Sequence, residues 1–120
     1  AVPVARTAIG RAFYAASSPA RQSVILSNLQ QHLSTEDYKH AQLALSDAAE
    51  HYRAHGYTVS DGEFSTDILA VAVGVFDVAT GQHAYSLNAS VPSANWQADE
   101  YAATIVPKLQ ALAEKIGRGI

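Results

Sequence analysis

The stretch GYTVSDGEFSTDILAVAVGVFDVATGQHAYSLNAS, residues 56–90, decides the fold of this chain. Within it, Ile68 to Phe76 form a nine-residue apolar run that contains no charge. This run is too short to cross a bilayer as a helix, and its β-branched residues favour a strand. Residues 77–82 carry turn chemistry, and residues 83–90 alternate well enough to return as a second strand. The pattern predicts a β-hairpin whose first strand is buried on both faces.

Length and composition limit the class of protein. The 120 residues are enough for one domain, and with 48% apolar and 16% charged residues the chain can bury a core. Its net charge is −3 and its eight Lys and Arg are spread thinly, which argues against this segment gripping a nucleic-acid backbone by itself. The absence of cysteine excludes disulfides, thiolate catalysis and cysteine zinc sites. Since no signal peptide or lipidation motif is found, we expect a soluble protein without a membrane partner.

Helical signals flank the hairpin on both sides. Ser and Thr caps, proline placement and apolar spacing predict helices at about residues 7–16, 19–32, 35–55 and 97–116. The order helices, hairpin, helix predicts an α+β domain in which helices cover an antiparallel sheet. Two strands alone are marginal in water, so we expect either dimerisation through a sheet edge or further strands upstream of Ala1.

Motifs of common catalytic sites are missing. The chain has neither of the glycine-rich nucleotide loops nor a GxSxG nucleophile elbow. His51 and His55 lie one helical turn apart, but HYRAH lacks the HExxH glutamate and no third ligand is evident, so we predict no metal site. Asp61 and Glu63 precede the apolar run without a nucleophile or electrophile to accompany them. The sequence therefore predicts a protein that is not an enzyme and needs no cofactor.

A binding site uses these residues better. The backbone amides of residues 7–10, at the start of the first helix, form a ready anion site. Asn88 and Ser90 share one face of the second strand, and Ala70 and Gly74 on its partner are small enough to leave room. This set suits a small organic acid, with amides for its carboxylate and apolar walls for its carbon skeleton. A packed core with two satisfied polar residues is the open alternative.

Three segments carry a resemblance to a known family. The pattern Gly56-x3-Ser60-x2-Glu63-x6-Ala70-Val71-Ala72-x2-Val75-Phe76-Asp77 resembles the characteristic pattern of the IclR family of bacterial transcription regulators. The opening PVARTAIGRAFYAA resembles the family's P-x-H-x-[ST]-A-x-G-[KR]-A-F-L-A, and LNASVP resembles its S-x-S-G-P. The three segments occur in the family's order over nearly the whole chain.

The resemblance implies an architecture of a winged helix-turn-helix DNA-binding domain followed by an effector-binding domain with a GAF-like (profilin-like) fold. It places residues 1–120 within one effector domain whose first strands, like the DNA-binding domain, lie upstream. Family effector contacts carried over residue by residue, with the helix start, give the expected ligand-binding set: Val2, Thr7, Ala8, Ile9, Ser60, Ala70, Asn88 and Ser90. Ser60, Ala70 and Asn88 stand where Asp, Cys and Ser are common, and Arg6 either adds a cation to the site or faces solvent.

What the resemblance implies for function follows from this architecture. We expect the effector-sensing domain of an IclR-type regulator, in which a small organic acid alters the oligomer arrangement and operator binding. The expected partners are the effector, a second copy of the chain in a dimer or tetramer, and DNA only through the upstream domain. The expected location is the cytoplasm. The alternative is a stand-alone GAF-like ligand-binding or dimerisation module without a role in DNA binding.

Overall fold

The structure is a computed structural model that describes residues 4–63 and 65–119. In these two ranges the chain forms four α-helices, three β-strands and one short 3-10 helix. In chain order these are α1 (Ala8–Ala16), α2 (Pro19–His32), α3 (Thr35–His55), β1 (Thr58–Asp61), β2 (Ile68–Asp77), β3 (Gln82–Pro92), the 3-10 helix (Ser93–Asn95) and α4 (Ala98–Gly117). The prediction of an α+β domain is confirmed.

The helix ends follow local capping chemistry. Thr7, Ser18 and Ser34 each accept a hydrogen bond from a backbone amide three residues further on, which satisfies an amide that has no partner inside the helix. Pro19 occupies the first position of α2, where its missing N–H costs nothing. Gly56 ends α3 with φ of 81°, a left-handed conformation that glycine adopts without strain. The predicted positions of these helix ends are confirmed.

The sheet is antiparallel, with β2 between β1 and β3. The predicted hairpin of β2 and β3 is confirmed, and Gly81 takes φ of 72° in its turn. Strand β1 was not predicted, because TVSD contains one apolar residue, Val59, and gives little hydrophobic signal. It supplies the second neighbour that the buried central strand requires. Strand β1 pairs only with residues 69–72 of β2. Further along β2, the Gly74 amide donates a hydrogen bond to the Tyr52 hydroxyl at 3.1 Å, so Tyr52 covers the part of this edge that β1 does not reach.

The two faces of the sheet pack against different helices. Leu69, Val71, Val73 and Val75 of β2 point to one face and form the main core with α4. The alternate residues at the centre of β2, Ala70, Ala72 and Gly74, are small, and Ala72 packs beneath α1 on the other face. We call these the α4 face and the α1 face. Because side chains alternate along a strand, β2 is buried on both faces at its centre.

None of the helices in the described part of the chain is both long and apolar enough to cross a membrane.

Candidate functional site

A cavity of about 310 Å³ lies on the α1 face, between the start of α1 and the β2–β3 hairpin. Its lining consists of Thr7, Ala8, Ile9, Ser60, Ser65, Ile68, Ala70, Asn88 and Ser90. The structure therefore brings together seven of the eight residues predicted from the sequence. The eighth, Val2, lies outside the described residues. Ser65 and Ile68 were not predicted as ligand contacts, since Ser65 precedes β2, Ile68 is its first residue, and neither carries distinctive chemistry.

Strand register explains how residues distant in sequence meet at this cavity. Ala70 pairs with Ser60 on one side and with Ser90 on the other, so the three form one row across the sheet. Asn88 lies in the next row, opposite Ala72. All these side chains point to the α1 face because they occupy alternate positions. Asn88 and Ser90 are exposed, since β3 forms the edge of the sheet, and the cavity is open on that side.

The start of α1 brings backbone donors to the cavity. Of its first amides, that of Gly10 donates to the Thr7 side-chain oxygen at 3.1 Å, and that of Arg11 to the Thr7 carbonyl at 3.0 Å. The amides of Ala8 and Ile9 have no acceptor within the helix. Both residues line the cavity, and the positive end of the helix dipole lies beside them. The arrangement can therefore hold an anion.

Two hydroxyl groups fasten this helix start to the sheet. Thr58 Oγ1 donates to the carbonyl of Ala8 at 2.6 Å, and Ser60 Oγ donates to the carbonyl of Arg6 at 2.9 Å. Since its proton is committed to Arg6, Ser60 can offer a ligand only an acceptor oxygen. Thr58 was not predicted. The only sequence signal for it is that Thr58 and Ser60 alternate with Val59 in β1. An analysis of hydrophobic periodicity places such polar positions on the solvent side of a strand.

No charged side chain is among the described residues that line the cavity. The Arg6 guanidinium donates to the carbonyl oxygen of Glu63, at 3.1 Å from Nε and 2.6 Å from Nη2, and borders a different cavity. Arg6 is therefore not a cation of this site.

The Gly10 position has a simple packing reason: a Cβ there would lie 2.5 Å from the Val4 carbonyl oxygen. Close approach of the Val4 backbone therefore accounts for a glycine at this position.

In the described part of the chain, the acidic and histidine residues singled out in the sequence do not line the cavity. The Glu63 carboxylate pairs with Arg11, while Asp61 and Asp67 are exposed. His51 and His55 stack with ring centroids 4.6 Å apart, and the His51 Nδ1 atom lies 2.9 Å from the Tyr57 carbonyl oxygen. Within residues 4–63 and 65–119, no group of three or more His, Cys, Asp or Glu is placed to hold a metal ion.

Two comparisons with known proteins identify the family and the fold of the chain. The family model described as the bacterial transcriptional regulator IclR C-terminal matches residues 1–118. Among solved structures, an IclR family transcriptional regulator from Brucella abortus superposes with a TM-score of 0.82 at 24% identity. That alignment covers 98% of this chain and 43% of the Brucella chain, so the chain spans less than half the length of that relative.

Two isolated domains are also similar in fold. The C-terminal domain of the Escherichia coli regulator KdgR has a TM-score of 0.71 at 25% identity, with 95% of this chain and 68% of that one covered. A double mutant of the PobR inducer-binding domain from Acinetobacter, in complex with 3-hydroxybenzoic acid, has a TM-score of 0.74 at 17% identity. Here 99% of this chain and 67% of that one are covered.

No curated protein matched the chain. The structural neighbours named above are transcriptional regulators or domains of them, a class of protein that is generally not enzymatic. The match of the family model over almost the whole sequence, together with the shared fold, decides the assignment. The chain belongs to the IclR family of bacterial transcriptional regulators, as a C-terminal domain of that family.

Proposed function

We propose that this chain is the effector-sensing part of an IclR-type regulator and that it binds a small organic acid in the cavity beside α1. The observation that carries the proposal is the position of two helix amides without an intrahelical acceptor, at Ala8 and Ile9, beside a cavity whose described walls are otherwise apolar or neutral polar. The amides receive the carboxylate, and Ile9, Ile68 and Ala70 contact the carbon skeleton.

Size and polarity support this class of ligand. A cavity of about 310 Å³ suits a molecule of roughly ten heavy atoms, at the small end of ligand pockets. Asn88 and Ser90 stand on the opposite wall from α1 and can both donate and accept hydrogen bonds. They give the site a means to read a polar substituent on the acid. The 3-hydroxybenzoic acid bound by the PobR domain, which shares this fold, belongs to the same chemical class.

The regulatory step of the proposal is a shift between oligomer arrangements. The chain acts as a dimer or tetramer in the bacterial cytoplasm and reaches DNA through a winged helix-turn-helix domain elsewhere in the protein. A ligand changes operator binding only if its affinity differs between the two arrangements. The length of the Brucella regulator, of which the alignment covers 43%, leaves room for such a domain in relatives of this kind.

Titration calorimetry with benzoate, 3-hydroxybenzoate and butyrate as probes tests the site. We expect at least one probe to bind, and Asn88→Leu or Ser90→Val to weaken that binding about tenfold or more, because a hydrogen bond to the ligand is lost. Both side chains are exposed, so the fold is retained. Asn28→Leu and Ser23→Val, at exposed positions of α2, are the matched controls. Unchanged affinity in both cavity variants would place the site elsewhere.

A stand-alone module without a DNA-binding role is the second candidate. The open edges of the sheet, at β1 and β3, favour it, since such edges can pair with another copy. The two candidates separate in an operator-binding assay with the protein that carries this chain. A regulator shows DNA binding that responds to the probe acid, whereas a stand-alone module shows association of copies and no DNA binding.

A further inference from the structure

Arg11 is the most enclosed charged side chain near the cavity, yet it does not line it. Its side chain is 12% exposed, and its guanidinium donates to three acceptors on three different segments. Nε donates to the Ala5 carbonyl at 2.8 Å, Nη1 to the Val59 carbonyl at 2.7 Å, and Nη2 pairs with the Glu63 carboxylate. A largely enclosed cation needs a counter-charge and hydrogen-bond acceptors, and this guanidinium has both.

The three acceptors lie next to residues of the cavity wall. Ala5 precedes the segment of Arg6 and Thr7 that enters α1, and Val59 precedes Ser60 in β1. The Ser60 hydroxyl donates to the Arg6 carbonyl, so the contacts of Arg11 lie on either side of a hydrogen bond that joins that segment to β1. Arg11 therefore holds the start of α1 against β1 at the point where both border the cavity.

Glu63 completes this arrangement from the other side of the wall. Its carboxylate neutralises Arg11, and its carbonyl oxygen accepts both hydrogen bonds from Arg6. Glu63, which follows β1, thereby joins two arginines, Arg6 ahead of α1 and Arg11 within it. Because the cavity side of this wall carries no charged side chain, the pair fixes the geometry of the site without offering a charge to a ligand.

We propose that Arg11 and Glu63 are positioning residues for the cavity, which set the distance between the Ala8 and Ile9 amides and the Ser60 side of the wall. The expected effect on ligand binding rests on the proposed function, whereas the expected effect on the geometry of the wall does not. The planar guanidinium of arginine carries five N–H donors and reaches the three acceptors at once. The ammonium group of a lysine at this position cannot reach all three in the same geometry. Glu63→Gln keeps an acceptor for Arg11 but removes the neutralising charge.

The first experiment needs no ligand. Hydrogen–deuterium exchange is measured on the protein that carries this chain, comparing wild type with Arg11→Lys and Glu63→Gln. We expect the exchange rate of peptides covering residues 4–9 and 57–63 to rise about fivefold or more, while a peptide covering residues 102–113 of α4 is unchanged. Equal rates in the first two peptides would overturn the proposal. A parallel rise in all three would also overturn it, because that would show a general loss of stability.

The second experiment measures binding of benzoate and 3-hydroxybenzoate by titration calorimetry. We expect both variants to bind the acids about tenfold more weakly than wild type. The matched control is Glu114→Gln, which removes the carboxylate of an exposed ion pair with Arg118 in α4 and should leave affinity unchanged. Unchanged affinity in Arg11→Lys and Glu63→Gln contradicts the inference. If wild type itself binds neither acid, the proposed ligand class fails, and the exchange experiment still decides the role of Arg11 and Glu63.

Discussion

The central strand β2 contributes side chains to both faces of the β-sheet, and one face is a filled core while the other borders a cavity. On the α4 face, β2 presents Leu69 and three valines, all buried, which fill the space beneath the helix. On the α1 face it presents Ala70, Ala72 and Gly74, which occupy little volume. Helix α1 therefore approaches the strand closely at Ala72, where packing is complete, and leaves a cavity beside Ala70.

Because of this difference, side chains of β2 that stabilise the fold and side chains that border the cavity alternate along the same strand. The α4 face buries the largest apolar side chains of the sheet and supplies most of its hydrophobic stabilisation. The α1 face relies in addition on specific hydrogen bonds: Thr58 and Ser60 donate to main-chain carbonyls, and the Tyr52 hydroxyl accepts a hydrogen bond from the Gly74 amide. Substitutions on the two faces should thus have distinguishable effects, and the following predictions test the distinction in order of expected size.

Leu69→Ala should produce the largest loss of stability. The side chain is fully buried on the α4 face, so its removal costs transfer free energy and leaves a cavity, together about 3 kcal/mol of the free energy of unfolding. Denaturant unfolding measures this loss. Affinity for a carboxylate probe should change less than about twofold, because the side chain points away from the α1 face. A loss of binding without a loss of stability would break the comparison.

Ala72→Leu and Ala70→Leu form a matched pair on the α1 face. Ala72 is fully buried beneath Ala8 and Ala12, so a leucine there overpacks the contact and costs about 1–3 kcal/mol in unfolding experiments. Ala70 borders the cavity, and a leucine there enters empty space, so stability should stay within about 1 kcal/mol while probe binding is lost. Equal destabilisation by the two variants would mean that the cavity is not available to a side chain.

Acid should lower stability through His83 on the α1 face, and alkali should lower it through buried tyrosines that include Tyr101 on the α4 face; both effects should be the smallest of the set. Burial lowers the pKa of His83, which lies beside Gly74, and raises the pKa of Tyr101, which packs under β2. The unfolded chain takes up a proton at His83 near its ordinary pKa of about 6.5, before the folded chain does, so stability falls as the pH drops below that value. The Tyr101 contribution is present below pH of about 10 and is lost as the pH rises through the raised pKa.

His83→Gln isolates the acid response. Unfolding free energies at pH 7.5 and 5.5 should differ more for wild type than for this variant, by well under about 1 kcal/mol because solvent still reaches the ring. The variant should match wild type in its response above pH 8, where His83 is neutral in both states. Identical acid responses in the two proteins would show that His83 gives the α1 face no pH sensitivity.

The sequence predicted well what depends on local chemistry and strong apolar patterns. The caps at Thr7 and Ser18, the turn at Gly81 and the central strand all carry such signals, and the family motifs added the residues that meet at the cavity. Strand β1 was not predicted because its inward residues, Thr58 and Ser60, are polar. Their hydroxyl groups donate hydrogen bonds to carbonyls of a segment that is distant in sequence. Such tertiary hydrogen bonds leave no periodic trace in the sequence.

The contacts that frame the cavity share one property with a consequence for how such domains diversify. Thr58 and Ser60 both donate to main-chain carbonyls, and so does Arg11 in two of its three bonds. Main-chain partners persist whatever side chain a position carries. Residues such as Ile9 and Ala70 can therefore be exchanged without disturbing the scaffold, and a single ancestral framework can come to recognise many different metabolites.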